Sequence, residues 1–241
     1  MRGFKIKLIV FSLAIFATPA FAQYGGDYEY SREFVWGITK ASNSGLIGGL
    51  MFRKTKELKP DVFHGVSMEI VNIKHPQEQK YYTNAGNTFI WGKENYLYSI
   101  RFSYDREYIL FRKAPQQGVQ INLIGMIGPT IGLESPYFIE VSEGNGRTKK
   151  VPYDADVHNG AGTIVGGGNF LQGLFESKIV PGLNAKVALA FEFGTFRSNV
   201  VGIETGFQSD FFTREIVMVP TANNSSIYPS AYFTLFYGSR K

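Results

Sequence analysis

Cysteine is missing from all 241 residues, histidine occurs three times and tryptophan twice. Without cysteine there is no disulfide framework, no thiolate metal site, no cysteine nucleophile and no lipid-modified N-terminal cysteine. A strong excess of one charge is missing as well. Of the 25 lysines and arginines, Arg2, Lys5 and Lys7 fall in an amino-terminal segment that reads as an export signal, leaving 22 basic against 20 acidic side chains. A chain so nearly balanced lacks the clustered basic face of a nucleic-acid binder, and no nucleic acid is expected as a partner. Beyond residue 22 no apolar run approaches the roughly 20 residues of a membrane helix. What is plentiful is glycine (27), tyrosine (14) and phenylalanine (21) in a chain that is 44% hydrophobic, which is no disordered composition.

The first 22 residues carry a basic start, the apolar run LIVFSLAIFA (8–17) and an Ala20-Phe21-Ala22 cleavage site. The run is too short for an anchor and stops at a proline, so a cleaved signal peptide is expected over 1–22, with one domain over 23–241. The mature chain alternates with period two, the mark of strands with unlike faces. Over 96–105, Tyr96, Tyr98, Ile100, Phe102 and Tyr104 fall on one face, and Leu97, Ser99, Arg101, Ser103 and Asp105 on the other. Over 183–194, Leu183, Ala185, Val187, Leu189, Phe191 and Phe193 oppose Asn184, Lys186, Ala188, Ala190, Glu192 and Gly194. Val201, Ile203, Thr205 and Phe207 oppose Gly202, Glu204, Gly206 and Gln208, and a short aromatic strand follows at 231–237. Weaker segments at 33–43 and 46–56 (a hairpin across Ser44-Gly45), 62–75 and 118–133 bring the number to about eight strands. Pro129 marks a bend, bulge or strand end in the last of these, which continues as 137–141.

The polar faces combine small residues with isolated charges: Glu69, Arg101, Asp105, Lys186, Glu192 and Glu204. A solvated face carries more Lys, Glu and Thr, whereas the lumen of a narrow barrel has room only for side chains that pair with one another. These six residues are therefore expected to form a lumen charge network. Loop lengths agree. With a periplasmic N-terminus the outside connections (42–45, 76–94, 142–181, 215–229) are mostly long, and the periplasmic ones (57–61, 106–118, 195–200) mostly short. The expected class is all-β: an antiparallel up-and-down transmembrane β-barrel of about eight strands, integral to the bacterial outer membrane. Its long third extracellular loop is expected to carry a short helix at 169–180. There Leu171, Leu174 and Phe175 share one side, Asn169 caps and Pro181-Gly182 stops. Phe170, Leu171, Leu174 and Phe175 would close the barrel mouth or dock on a partner.

The segments FRKAPQQGVQINLIGMIGPTIG (111–132), SPYFIEV (135–141), GLFESKIVPGLNAKVALAFEFGTF (173–196) and the ending YFTLFYGSRK resemble small outer-membrane β-barrel proteins of Bacteroidota. The resemblance spans most of the mature chain, rests on structural motifs, and implies an outer-membrane barrel with no catalytic residue to carry over. The last strand resembles the aromatic barrel-assembly signal, with Phe233, Leu235 and Tyr237 on one face, but it ends in Gly238-Ser239-Arg240-Lys241.

Chemistry-bearing constellations are sparse. His64 shares a strand face with Val62, Val66 and Met68, and His75 precedes Pro76 at a strand end. His158 with Asp154 or Asp156 and a loop serine sketches a triad, but no G-x-S-x-G elbow accompanies it. Gly160-Ala161-Gly162 and Gly166-Gly167-Gly168 lack the spacing and the Lys-Ser/Thr of a nucleotide loop. Asp154-x-Asp156 resembles a calcium loop only until His158 takes the third ligand position. The reading is a non-enzymatic protein with no catalytic residue, metal or cofactor, a structural or interaction subunit of an outer-membrane assembly such as secretion or envelope machinery. Its partners are outer-membrane lipid and other outer-membrane or periplasmic proteins. The alternatives are a small transport pore, a lipid-modifying enzyme, or a soluble β-sandwich.

Overall fold

The computed structural model describes residues 30–241 except 84–85, 114–117, 145–146, 159–162 and 194–197; the signal segment and Asn159 to Gly162 lie outside the described residues. The described residues form thirteen strands in chain order: β1 (Arg32–Ala41), β2 (Ser44–Lys59), β3 (Val62–Ile73), β4 (Gln79–Tyr82), β5 (Thr88–Trp91), β6 (Asn95–Phe111), β7 (Gln120–Pro136), β8 (Phe138–Gly144), β9 (Arg147–Pro152), β10 (Ile164–Gly167), β11 (Lys178–Phe193), β12 (Asn199–Ile216) and β13 (Ser225–Arg240). Eight of them close into a ring, β1-β13-β12-β11-β7-β6-β3-β2, each antiparallel to both neighbours. β8 to β10 form a separate three-stranded sheet, and β4 with β5 a hairpin. Closure removes every edge where the ladders run full length.

Alternation sets the two surfaces of the wall. In β1, Glu33, Val35, Gly37 and Thr39 point into the barrel and are buried, while Phe34, Trp36 and Ile38 point out and are exposed. The same division holds around the ring, to the point that Phe207 is 74% and Ile127 63% exposed on the outside. A soluble sandwich hides its apolar face; this barrel hides its polar one.

Turns are short at the end bearing the termini. Asp61, at φ 63°, turns β2 into β3 in the left-handed region that Asp tolerates better than most residues. At the opposite end the first connection is the two-residue turn Ser42-Asn43, and the connections after β3 and β7 are long and carry β4, β5 and β8 to β10.

Four local expectations need correction. No helix forms over 169–180: a single three-residue 3-10 turn, Leu174–Glu176, precedes β11, which already begins at Lys178. Gly173 weakens a helix at its centre, and β-branched Ile179 and Val180 favour the extended chain. The strand through Pro129 runs on to Pro136. The ladder to β6 skips Gly128 and Pro129, then resumes in the same register, so the proline interrupts hydrogen bonding without ending the strand or shifting its register. Residues 138–144 belong to a different sheet from β7. The first hairpin turns at Ser42-Asn43, with Ser44 already in β2.

Candidate functional site

Inside the ring the polar side chains form a ladder. Arg101 donates from Nε (2.9 Å) and Nη2 (2.5 Å) to the two oxygens of Asp210, and from Nη1 to Glu69 (3.1 Å) and Gln208 (3.0 Å). Glu69 also accepts from Lys186, whose Nζ lies 3.9 Å from Glu204 and 4.1 Å from the Tyr232 ring centre. Glu204 accepts from Arg53 (2.5 Å) and from the Tyr232 hydroxyl (2.5 Å). The chain Asp210–Arg101–Glu69–Lys186–Glu204–Arg53 thus crosses the lumen from β12 through β6, β3, β11 and back through β12 to β2.

A second cluster lies nearer the termini. Arg240 bridges Glu33 and Glu192, with its guanidinium carbon 3.9 Å from the centre of the Tyr30 ring. Asn122 donates to Glu107 (2.5 Å) and Glu192 (2.6 Å). All these charged groups are buried.

Of the six residues singled out by alternation, Glu69, Arg101, Lys186 and Glu204 meet in the ladder, and Glu192 joins the second cluster. Asp105 is equally buried, yet neither of its carboxylate oxygens has a hydrogen-bond partner, and Arg53 Nε is unpartnered as well. Sequence reasoning passed over Glu33, Arg53, Glu107, Asp210 and Arg240. The buried lumen charges comprise seven carboxylates and four cations, an excess of three carboxylates, and Asp105 is the one whose oxygens find no hydrogen-bond donor among the described residues. Asp105→Asn is therefore expected to leave the urea midpoint of the barrel unchanged or raise it. Asp210→Asn should lower it, through a loss of about 1–3 kcal/mol in unfolding free energy, the cost of a broken buried charge-assisted pair. A midpoint for Asp105→Asn as low as that for Asp210→Asn would refute the assignment.

Above the ladder the lumen closes with apolar groups. Ile73, Leu97, Val180, Phe212, Ile216, Met218, Val219 and Tyr228 pack as a buried plug. A Cβ on Gly132 would meet the Phe212 ring at 2.6 Å, so that glycine is what lets the ring lie across the mouth. Over the plug sits a cap. Phe89, Tyr137, Ile139, Tyr153 and Ile164 form its core; the Tyr137 hydroxyl accepts from Ile90 N–H (3.0 Å) and the Tyr153 hydroxyl from Gly92 N–H (3.2 Å). These two bonds pin the β4–β5 hairpin to the three-stranded sheet. Buried Lys93 pairs with Glu78 and lies 4.2 Å from the Tyr96 ring centre. Burial pulls its pKa below the ordinary lysine value, against the opposing pull of Glu78.

Phe170, Leu171, Leu174 and Phe175 do not lie over the mouth. The segment leading into β11 is pressed on the outer side of β6 and β7: the Tyr98 hydroxyl donates to Phe170 O (2.5 Å), and a Cβ on Gly173 would stand 2.4 Å from Pro136 O. Tyr98, on the outward face of β6, is buried by this collar. Phe170, Leu171 and Phe175 remain exposed, Phe175 completely, while Leu174 is half-buried.

The triad sketched around His158 does not assemble. Its Nδ1 lies 3.1 Å from the backbone N–H of Asp154 in the same turn, and the ring packs against Tyr153. Asp154 Oδ1 accepts from Asp156 N–H (2.9 Å), which occupies it as a turn group. No cluster of His, Asp or Glu among the described residues has the arrangement to hold a metal ion. His64 contacts Tyr104 on the outer wall, and His75 lies in the connection after β3.

No family model and no curated protein matches the sequence. Among solved structures the chain is similar to Ail, the attachment invasion locus protein of Yersinia pestis (8% identity, TM-score 0.39, covering 88% of this chain and 100% of that one). It is also similar to neisserial surface protein A (12%, TM-score 0.37, 88% and 95%) and to the N-terminal β-barrel domain of Pseudomonas aeruginosa OprF (8%, TM-score 0.35, 88% and 98%).

Proposed function

We propose that the chain is a non-enzymatic integral outer-membrane barrel, exported by a signal at 1–22, that works as a structural or interaction subunit through its cap and collar. The membrane reading is supported by the inside-out wall: an apolar exterior around a buried, internally paired polar lumen. The termini end then faces the periplasm and the cap faces outward. The observation that carries the functional reading is the filled interior. The charge ladder and the plug leave the strands no conduit, so a transport pore is disfavoured and the surfaces beyond the wall remain to do the work.

The collar is the part most suited to a protein partner, because Phe170, Leu171 and Phe175 present apolar surface outside the cap's own core. A mild-detergent pull-down followed by mass spectrometry tests this. A stoichiometric envelope protein should copurify with the wild type and be lost from the Leu174→Asp/Phe175→Asp double variant, while heat-modifiable gel migration shows that both barrels are folded. A solitary monomer, or equal recovery with both chains, would sink the interaction reading.

A further inference from the structure

The wall is not equally tall all the way round. β1 has 10 residues, and its ladder to β13 ends at Ala41 opposite Tyr232, followed by one last bond from Ser42 N–H to Ala231 O (2.8 Å). β13 begins at Ser225, so 225–230 pair with β12 on one side and with no strand on the other. The gap is spanned from β3 by the segment after Ile73. Lys74 N–H reaches Asn43 O (2.8 Å), and His75 Nε2 reaches Asn223 O (3.0 Å). Gln77 N–H donates to His75 Nδ1 (3.2 Å), so Nε2 carries the proton and donates to Asn223. Beneath this strap a lateral cleft of about 360 Å³ remains, lined by Lys74, Pro76, Ile227, Tyr228 and Pro229 among others.

The free edge of β13 cannot accept another strand. Since the carbonyl of Ala231 faces β1, the backbone groups of Pro229 and Ile227 face the cleft. Proline has no N–H. The N–H of Ile227 is taken by Ser225 Oγ (3.0 Å), whose hydroxyl in turn donates to the Ile227 carbonyl (3.0 Å). What is left for an occupant is apolar surface, and it is continuous with the outer wall. Leu183, Phe211 and Ile227 are directly opposite one another on β11, β12 and β13, all exposed and apolar, and the row ends at the cleft. Lys74 lines the cleft and forms no ion pair among the described residues.

We propose that this cleft binds one acyl chain of a phosphate-bearing membrane lipid, the chain lying against Pro76, Ile227 and Pro229 and the phosphate at Lys74. The site rests on the membrane reading above. Its volume falls in the range of roughly 300–1,000 Å³ that small-molecule sites occupy. It differs from the annular lipid that any such wall collects in being a defined cleft in which Pro76, Ile227, Tyr228 and Pro229 supply apolar lining and Lys74 supplies a cation, beside the polar Asn43, His75, Gln77, Asn223 and Ser225.

The test is native mass spectrometry of the full mature barrel, released from detergent, with palmitoyl lysophosphatidylglycerol as the anionic probe and palmitoyl lysophosphatidylcholine as the zwitterionic one. One lysophosphatidylglycerol per barrel should be retained in preference to lysophosphatidylcholine. Ile227→Trp, which fills the cleft, should lower its occupancy about tenfold, the scale of discrimination by a changed apolar pocket. Lys74→Gln should abolish the headgroup preference, and Leu235→Trp, lower on the same outward face, should change nothing. Equal occupancy in all variants, or a wild-type barrel that retains no probe, would overturn the proposal. Heat-modifiable migration and the need for detergent report the membrane reading separately, so a folded, detergent-dependent barrel without a retained lipid counts against the cleft alone.

Discussion

Arg101→Met should destabilise the barrel by about 3–5 kcal/mol, the cost of removing one partner from a buried ion pair. The guanidinium makes two bonds to Asp210 and one each to Glu69 and Gln208. Without it, Asp210 keeps only the Thr130 and Ser99 hydroxyls, both at 3.4 Å, and Glu69 keeps Lys186. Arg101→Lys should recover only part of the loss, because an ammonium is a point charge and cannot span Asp210, Glu69 and Gln208 at once. The measurement is the urea midpoint of the heat-modifiable gel shift. Arg112 serves as the control: its pair with Asp61 is 40% and 42% exposed, and Arg112→Met should cost no more than about 1 kcal/mol. Equal midpoints for the Arg101 and Arg112 variants would show that the ladder does not hold the barrel together.

The wall was legible because its exterior and its lumen impose opposite demands on alternate residues. Wherever a strand meets both demands cleanly, as in 96–105, one reading of the face division suffices. Arg53 was hidden by its neighbours: Lys54 and Lys56 are charged on the outward face of β2 while Arg53 and Thr55 point inward, so charge stands on both faces and the alternation is lost. Asp210 continues the inward series Glu204, Gly206, Gln208 and would have been found by extending that strand two residues. The cap was beyond local patterning. β8 to β10 and the β4–β5 hairpin are short, and they are held by contacts between distant residues such as Tyr137 with Ile90 and Thr83 with Val165. The helix expected at 169–180 failed for a related reason. The spacing of Leu171, Leu174 and Phe175 fits a helical face, but the collar is shaped by its seat on β6 and β7, which no period within the segment encodes. The cleft escaped notice because it arises from a difference in strand length, visible only once β1 and β13 are side by side.

Arg240→Met should be nearly as damaging as Arg101→Met, although Arg240 is the penultimate residue. The aromatic face of β13 (Phe233, Leu235, Tyr237) points outward, and the inward series Tyr232, Thr234, Phe236, Gly238 ends on Arg240. Its side chain joins Glu33 of β1 to Glu192 of β11 across β13, so one cation ties the first and last strands of the ring to a third. Beyond its aromatic outward face, β13 thus carries inward the charge that locks the seam between β1 and β13. Removing that charge leaves Glu33, Glu107 and Glu192 in one buried layer with Asn122 between two of them, a loss of about 3–5 kcal/mol in unfolding free energy read from the urea midpoint. The repulsion can be separated from lost packing. Adding Glu192→Gln to Arg240→Met removes one of the unpaired carboxylates and should restore part of the midpoint, whereas Glu192→Gln alone should lower it. A double variant no more stable than Arg240→Met would assign the whole effect to the lost packing of the guanidinium on Tyr30, and the seam would then be held by shape and not by charge.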